Sequence, residues 1–360
     1  MLGGISLLED SPLRRLQRMA AVVVAVVLLA LTVFSAIPAQ PQGSAPPASA
    51  DNRGIGDDAL YRLIAGRVAS GEGYYEAVVA EHRANNYPLK PFFTVRQPAL
   101  AWAFALVGEK GLKIILLALF IGCAVMLPKA LARTSGEGIG ILAMVLAVAV
   151  VAAGPGVMFH DLWAGVLLTL ALALRKPDRI WLSLLCALAA LLIRETALPA
   201  VLLWAALALL MRRWRELAGV VAVLAVFAVA LTLHANAVMA VTTAADPASQ
   251  GWSGFAGPAL FVAGIRQSTA LYFLPLWLAG PVVVLALFGF LARGQAAAAY
   301  ALLWLIGLAA MIALFARPEN WYWATLGLPL TLAGLAFVPR GLGDLVLALR
   351  GRDETSMESA

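Results

Sequence analysis

Charge is what this chain is short of. Asp, Glu, Lys and Arg together make up 13% of its 360 residues, about half the share found in a soluble domain. With 62% apolar residues and a mean hydropathy of +0.88, that shortage excludes an ordinary soluble fold. It predicts an all-α polytopic membrane protein, because backbone polar groups in hydrocarbon must be satisfied within their own segment. Cysteine is equally scarce. Cys123 and Cys186 both sit inside apolar runs, which leaves no disulfide framework and no zinc-ligand spacing. No Walker loop is present and no Gly-x-Gly-x-x-Gly turn stands in the right context, so soluble nucleotide donors are not expected. The net charge of +6 reads as a topology signal and not as a nucleic-acid surface.

What is there is a series of apolar runs, at 19–37, 112–128, 138–153, 156–174, 180–193, 196–211, 217–235, 271–291, 296–316 and 320–338. Arg14, Arg15 and Arg18 precede the first, as in a signal peptide, but Ile37-Pro38 spoils a small-residue cleavage site, and an uncleaved span is expected. The strongest short basic loops are Arg175-Lys176-Arg179 and Arg212-Arg213-Arg215. Placing both in the cytoplasm sets the orientation. The run 97–108 then cannot cross without inverting every other span, so it should be an interfacial helix. The result is ten spans with both termini inside, a single membrane domain over 1–338, an external loop over 39–111 and a cytoplasmic tail over 339–360. Fifteen of the twenty-six basic residues fall inside on this scheme.

Ionisable groups then gather on the outer side: Asp57, Asp58, Arg96, His160, Asp161, Arg194, Glu195, Arg266, Arg317 and Glu319. Charges collected at one face of a membrane protein point to binding or chemistry there. Within the external loop, residues 38–50 read as a Pro- and Ala-rich linker. Leu60, Leu63, Ile64 and Val68 recur at helical spacing after Asp57-Asp58, with Gly71 as a stop. A second amphipathic stretch starts near Glu72 and carries Tyr74, Tyr75, Val78 and Val79. Such helices can lie on a bilayer. Two acids at a helix start also have a plain reading as cap and first-turn residues. Arg194-Glu195 at the tip of a short hairpin reads equally as a packing ion pair. His82 reads as a solvated interfacial residue, His234 as a helix-end residue, and Trp252, Trp321 and Trp323 as aromatic-belt anchors. Residues 350–360 read as a disordered end.

The order of elements resembles the GT-C glycosyltransferases, in particular the aminoarabinose transferases of lipid A and the protein O-mannosyltransferases. Asp57-Asp58-Ala59-Leu60-Tyr61 is similar to the Asp-Glu pair that heads a juxtamembrane helix in that family. Arg96-Gln97-Pro98-Ala99-Leu100 resembles its Pro-Pro-Leu element, with Ala99 in place of the second proline. Phe159-His160-Asp161 resembles a polar element after the third span, and Arg317-Pro318-Glu319-Asn320-Trp321-Tyr322 one that opens a late span. The chain has fewer spans than the large members of the family and no soluble C-terminal domain. The resemblance implies transfer of a sugar from a polyprenyl-phosphate donor to a lipid, glycan or protein acceptor, at the outer face of a bacterial inner membrane. It implies Asp57 and Asp58 as catalytic acids and Arg96, Arg194 and Arg317 around the donor phosphate. His160, Asp161, Glu195 and Tyr322 would contact substrate. No metal ligand set is expected, although parts of the family use a divalent metal and His160 beside Asp161 supplies two ligand types. The competing reading is a non-catalytic flippase or assembly subunit, which should carry mid-membrane charges or paired broken helices. The orientation has a direct check. A cysteine placed at Ala45 is expected to react with a membrane-impermeant maleimide outside intact cells. Labelling confined to disrupted membranes would invert the scheme.

Overall fold

The computed structural model describes residues 12–37, 55–152, 154–176 and 179–350. The linker 38–50 and the last ten residues, 351–360, fall outside them. Among the described residues the chain is helical throughout. Its one β-bridge joins Lys90 to Ala248. Six helical stretches are long and apolar enough to cross a membrane: Arg18–Ala36, Phe92–Leu131, Ser135–Ala152, Trp214–Val241, Ala296–Phe315 and Leu330–Arg350. Four shorter apolar helices accompany them, at His160–Ala173, Ile180–Ile193, Glu195–Leu210 and Trp277–Arg293. The protein is an all-α, multi-pass membrane protein.

Helix α1 (Arg18–Ala36) is followed by two short amphipathic helices, α2 (Asp57–Ala69) and α3 (Tyr74–Ala84). Gly56 is the extended N-cap of α2, so Asp57 and Asp58 occupy its first turn, where the helix dipole favours acids. Gly71, at φ +97°, ends it. The apolar sides of both helices are buried, through Leu60, Ile64 and Ala65 on α2 and Ala77, Val78 and His82 on α3. Helix α4 (Ala99–Leu131) is broken at Gly108, whose φ of 69° lies in the left-handed region. The break falls where the expected interfacial segment ends and the expected span begins. Arg62 of α2 pairs with Glu109 just past it, and Glu109 also holds Lys113 at 2.8 Å.

Helix α5 (Ser135–Ala152) leads to α6 (His160–Ala173), all fourteen residues of which are buried. Helices α4 and α7 (Ile180–Ile193) pack against α6. Then come α8 (Leu198–Leu210), α9 (Trp214–Val241), α10 (Ala259–Gln267), α11 (Leu276–Arg293) and α12 (Ala296–Phe315). Contacts sort the connections into two sets. Arg83 meets Asp246, Tyr75 meets His234, Asp161 meets Arg194, and Gln250 meets Arg317 at one end. At the other, Arg293 meets the Leu131 carbonyl, Gln295 the Ala130 carbonyl, and Arg340 meets Glu137.

The run 320–338 departs from expectation. Instead of one regular helix it forms a 3-10 segment over Pro318–Gly327 broken at Asn320, a single turn α13 (Leu330–Ala333), a 3-10 turn over Gly334–Phe337, and then α14 (Val338–Arg350). Pro318 and Pro329 cannot donate within a regular helix. Irregular backbone at membrane depth is tolerated only where protein buries it, and residues 322–334 are all buried. Beyond 338 the chain continues as α14, which packs on α11 and α1. Close approach by Gly165 of α6 accommodates the irregular segment. A Cβ there would stand 2.3 Å from the Thr325 carbonyl oxygen and 2.9 Å from those of Leu326 and Leu328. Gly165→Leu should therefore lower the thermal unfolding midpoint in detergent by an amount matching about 1–3 kcal/mol or more of overpacking. Gly307→Leu, where nothing lies within 4 Å, should leave the midpoint unchanged or raise it. Equal midpoints for the two variants would refute the close-contact account.

Candidate active site

The first set of connections encloses a cavity of about 330 Å³, within the size range of small-molecule sites. Asp57, Asp58, Tyr61, His82 and Tyr87 come from the first loop, Arg96 from the approach to α4, and Phe159 from the approach to α6. Arg194 comes from the α7–α8 turn, Ser249 and Trp252 from the loop after α9, and Arg317 and Glu319 to Trp323 from the 3-10 segment and its N-cap. Asp57, Arg96, Arg194, Arg317 and Tyr322, separated by up to 265 positions in the chain, thus share one cavity.

The two acids have different surroundings. Tyr87 donates its hydroxyl to Asp57 Oδ1 at 3.0 Å and lies 2.9 Å from the Ile55 carbonyl. No basic side chain pairs with Asp57 among the described residues. Asp58 is held instead by Arg62, through Nε at 3.1 Å and Nη2 at 3.3 Å, and Arg62 continues to Glu109 at the α4 break. Asp58 thus anchors α2 to α4, and Asp57 carries the available carboxylate.

The three arginines also differ. Arg194 is 1% exposed. Its Nε meets Asp161 Oδ1 at 2.9 Å and its Nη1 meets Glu195. Asp161 and Glu195 are therefore counter-charges for Arg194 and do not line the cavity. Arg317 lies 3.0 Å from Glu319 Oε1 without hydrogen-bond alignment, and its Nη1 donates to Gln250 at 3.2 Å. Arg96 has no carboxylate partner among the described residues. Its Nε donates to the Tyr61 hydroxyl at 2.9 Å and its Nη2 to the Tyr322 hydroxyl at 3.3 Å. Its backbone carbonyl is pinned by the Tyr74 hydroxyl at 2.6 Å. Each phenol oxygen accepts from Arg96, so each phenol proton is free to point elsewhere. Burial pushes the Tyr61 hydroxyl well above its ordinary pKa, which keeps that proton in place. A guanidinium with no carboxylate in hydrogen-bond contact, together with two phenol protons, makes an anion-binding cradle, although Asp161 and Glu195 act on Arg96 from behind Arg194.

His160 stands behind this cradle. It is buried, its ring meets Tyr61 edge-on at 4.8 Å between centroids, and its Nδ1 has no partner. It lines a chamber of about 10 Å³ shared with Tyr61, His82 and Arg96, and does not reach the main cavity. No group of three or more His, Cys, Asp or Glu side chains able to hold a metal occurs among the described residues. Arg266 is elsewhere, bonded to the Tyr272 and Leu274 carbonyls.

Several residues carry more here than their sequence context indicated. Tyr61 and Tyr87 had no role of their own beyond their place in the motif order, and Tyr74 read as part of an amphipathic stretch, yet they position Arg96 and Asp57. His82 is 3% exposed, not solvated. His234 is buried too, bonded to Tyr75 through Nδ1 and to the Val95 carbonyl through Nε2, each at 3.2 Å. Trp252, Trp321 and Trp323 line the cavity. No local pattern flags these partners, because most of the contacts join elements far apart in sequence.

His82 gives the site a pH dependence. Its Nδ1 lies 2.9 Å from the Pro88 carbonyl, which can only accept. Burial, helped by Arg96, pushes its pKa down to about 4 against the opposing pull of that hydrogen bond. Unfolded histidine titrates near 6.5. The unfolded loop therefore binds more protons between those values, and stability falls as pH drops through that window. Hydrogen-exchange protection factors in residues 55–95, corrected for the intrinsic pH dependence of exchange, should fall from pH 7.5 to pH 5. His82→Gln, which can still donate to Pro88 but cannot titrate, should flatten that change. An unaltered pH response in the variant would remove His82 as its source. No protein-family model, no curated protein and no solved structure matches the chain, so any assignment of chemistry rests on this geometry and on the motifs.

Proposed function

We propose that this protein is a membrane glycosyltransferase of the GT-C kind, which moves a sugar from a polyprenyl-phosphate carrier to an acceptor hydroxyl of the cell envelope. The observation that carries the reading is the presence, in one cavity, of a carboxylate and a guanidinium that, among the described residues, are each hydrogen-bonded by phenols and not by a group of opposite charge. The acceptor oxygen attacks the anomeric carbon while Asp57 takes its proton. The bond from that carbon to the phosphate oxygen breaks, and its electron pair leaves with the lipid phosphate. Arg96, with the phenol protons of Tyr61 and Tyr322, receives the charge that develops on that phosphate. Arg194 sets the cavity floor through Asp161 and Glu195, and Arg317 contributes a second, partly neutralised cation. In this reading the six long and four short helices make ten crossings of a bacterial inner membrane, with both termini cytoplasmic and the cavity outward.

A flippase or carrier fits less well. It needs ionisable groups reachable from both sides in turn, whereas the charged lining residues here come from connections at one end. The test is complementation of a deletion strain, read in the lipids and glycans of its envelope. Asp57→Asn should insert normally and lose about 10²–10⁴-fold in transfer, the usual worth of a positioned base. Arg96→Gln should be as damaging, and Arg96→Lys should recover little, since the planar fork is lost. Arg317→Gln should cost less than Arg96→Gln because Glu319 already offsets its charge. Full complementation by Asp57→Asn would end the catalytic reading.

A further inference from the structure

The end of the cavity away from Arg96 has a different chemistry. Its wall is a strap, residues 242–258, between α9 and α10. Arg83 grips Asp246 through two bonds, at 2.7 and 2.8 Å. Leu89 N donates to the Pro247 carbonyl at 3.0 Å, and Ser249 N to the Lys90 carbonyl at 2.7 Å. Gly251 and Gly257 take φ values of 85° and 76°, and Gly254 lets the strap pass against Arg317, since a Cβ there would meet the Ala316 carbonyl at 2.3 Å. These contacts hold Trp252 on the cavity wall.

Trp252 leans over Phe93 with centroids 4.5 Å apart and abuts Trp323 at a right angle, 5.9 Å away. It remains 40% exposed. A membrane-belt tryptophan would face outward from the bundle; this one lines the cavity beside polar groups. Phe255, 65% exposed at the tip of the strap, has the character of such an anchor. Around the Trp252 shelf stand a serine hydroxyl, Ser249, and the carboxylate of Glu319. Trp323, 4% exposed, has a buried indole N–H without a partner, and the Arg317 Nε, though ion-paired with Glu319, makes no aligned hydrogen bond. Unmet buried donors are rare enough to require an explanation.

An aromatic face ringed by both donors and acceptors suits a ring whose faces carry C–H groups and whose edge carries hydroxyls. The partly positive C–H groups meet the negative face of the indole. Each hydroxyl both donates and accepts, as the mixed set Ser249, Glu319, Trp323 and Arg317 requires. A lipid chain would leave those polar groups unmet, and a second phosphate would face Glu319.

We propose that the strap end of the cavity binds a pyranose ring of the acceptor, so that the hydroxyl facing Asp57 belongs to a carbohydrate. This deepens the transferase reading above and rests on it for the word acceptor, but sugar binding can be measured without turnover. The full-length protein in nanodiscs would be presented with the methyl α-glycosides of glucose, galactose, mannose and N-acetylglucosamine, and separately with a Ser/Thr-containing pentapeptide. Saturation-transfer NMR would read the contact. Ring protons of at least one glycoside should be saturated, with affinity roughly tenfold weaker in Trp252→Ala and largely kept in Trp252→Phe. Ser249→Ala, a milder change, should weaken the same signal and guards against a misfolded Trp252→Ala. The proposal fails if no glycoside is saturated, if the signal ignores both Trp252→Ala and Ser249→Ala, or if only the peptide responds. Farnesyl phosphate serves as the probe for the other end. Its binding should fall in Arg96→Gln and not in Trp252→Ala. Glycoside binding without farnesyl phosphate binding would count against the lipid-phosphate donor alone, and the converse against the carbohydrate acceptor alone.

Discussion

A guanidinium with almost no exposure cannot stand alone in an apolar bundle, and Arg194 is where this structure meets that constraint. Removing a charge from water costs several kcal/mol unless close counter-charges accompany it. Asp161 and Glu195 supply them. Asp161 lies in the first turn of α6, the helix buried along its whole length, and Arg194 lies in the turn between the short helices α7 and α8. The ion cluster therefore ties the central helix to the hairpin and sets the depth of the turn. Such a cluster adds little net stability compared with apolar packing. Its effect is on register, and the cavity floor depends on that register.

Above that floor the electrostatics follow from how each arginine is partnered. Two have carboxylates and one has phenols. Phenols accept hydrogen bonds as carboxylates do but bring no negative charge, so they orient Arg96 without neutralising it. On the other wall, Tyr87 orients Asp57 and brings no positive charge. The cavity thus holds two fixed charges of opposite sign that are kept from each other's ion pairing by neutral hydrogen-bonding side chains. That separation is costly in a folded protein, and it is what a reaction that separates a proton from a leaving phosphate requires.

The amphipathic helices after the linker were legible because their cause is local: a glycine N-cap, two first-turn acids and apolar residues at helical spacing. Charge counting set the run 97–108 apart from the span expected after it, and the helix is broken at Gly108 between the two. The segment 320–338 was misread because hydropathy reports that a run avoids water, not what replaces the water. Lipid demands a regular helix, but neighbouring protein does not, and here α6 with its Gly165 takes the place of lipid. The roles of Tyr61, Tyr87, His82 and Trp252 were hidden for a further reason. Each acts through a partner 6 to 159 residues away or through the cavity wall, and no periodicity in one stretch encodes that.

The clamp between Arg83 and Asp246 joins parts of the chain made far apart in time. Helix α2 with its acid leaves the ribosome early, while the strap and the 3-10 segment leave late. Until the 3-10 segment is made, Arg96 has no Tyr322 beside it, and until the strap is made the cavity lacks the wall that carries Trp252. A nascent chain therefore carries Asp57 and Arg96 well before the residues that complete their cavity exist, and the finished site appears only when the last wall closes.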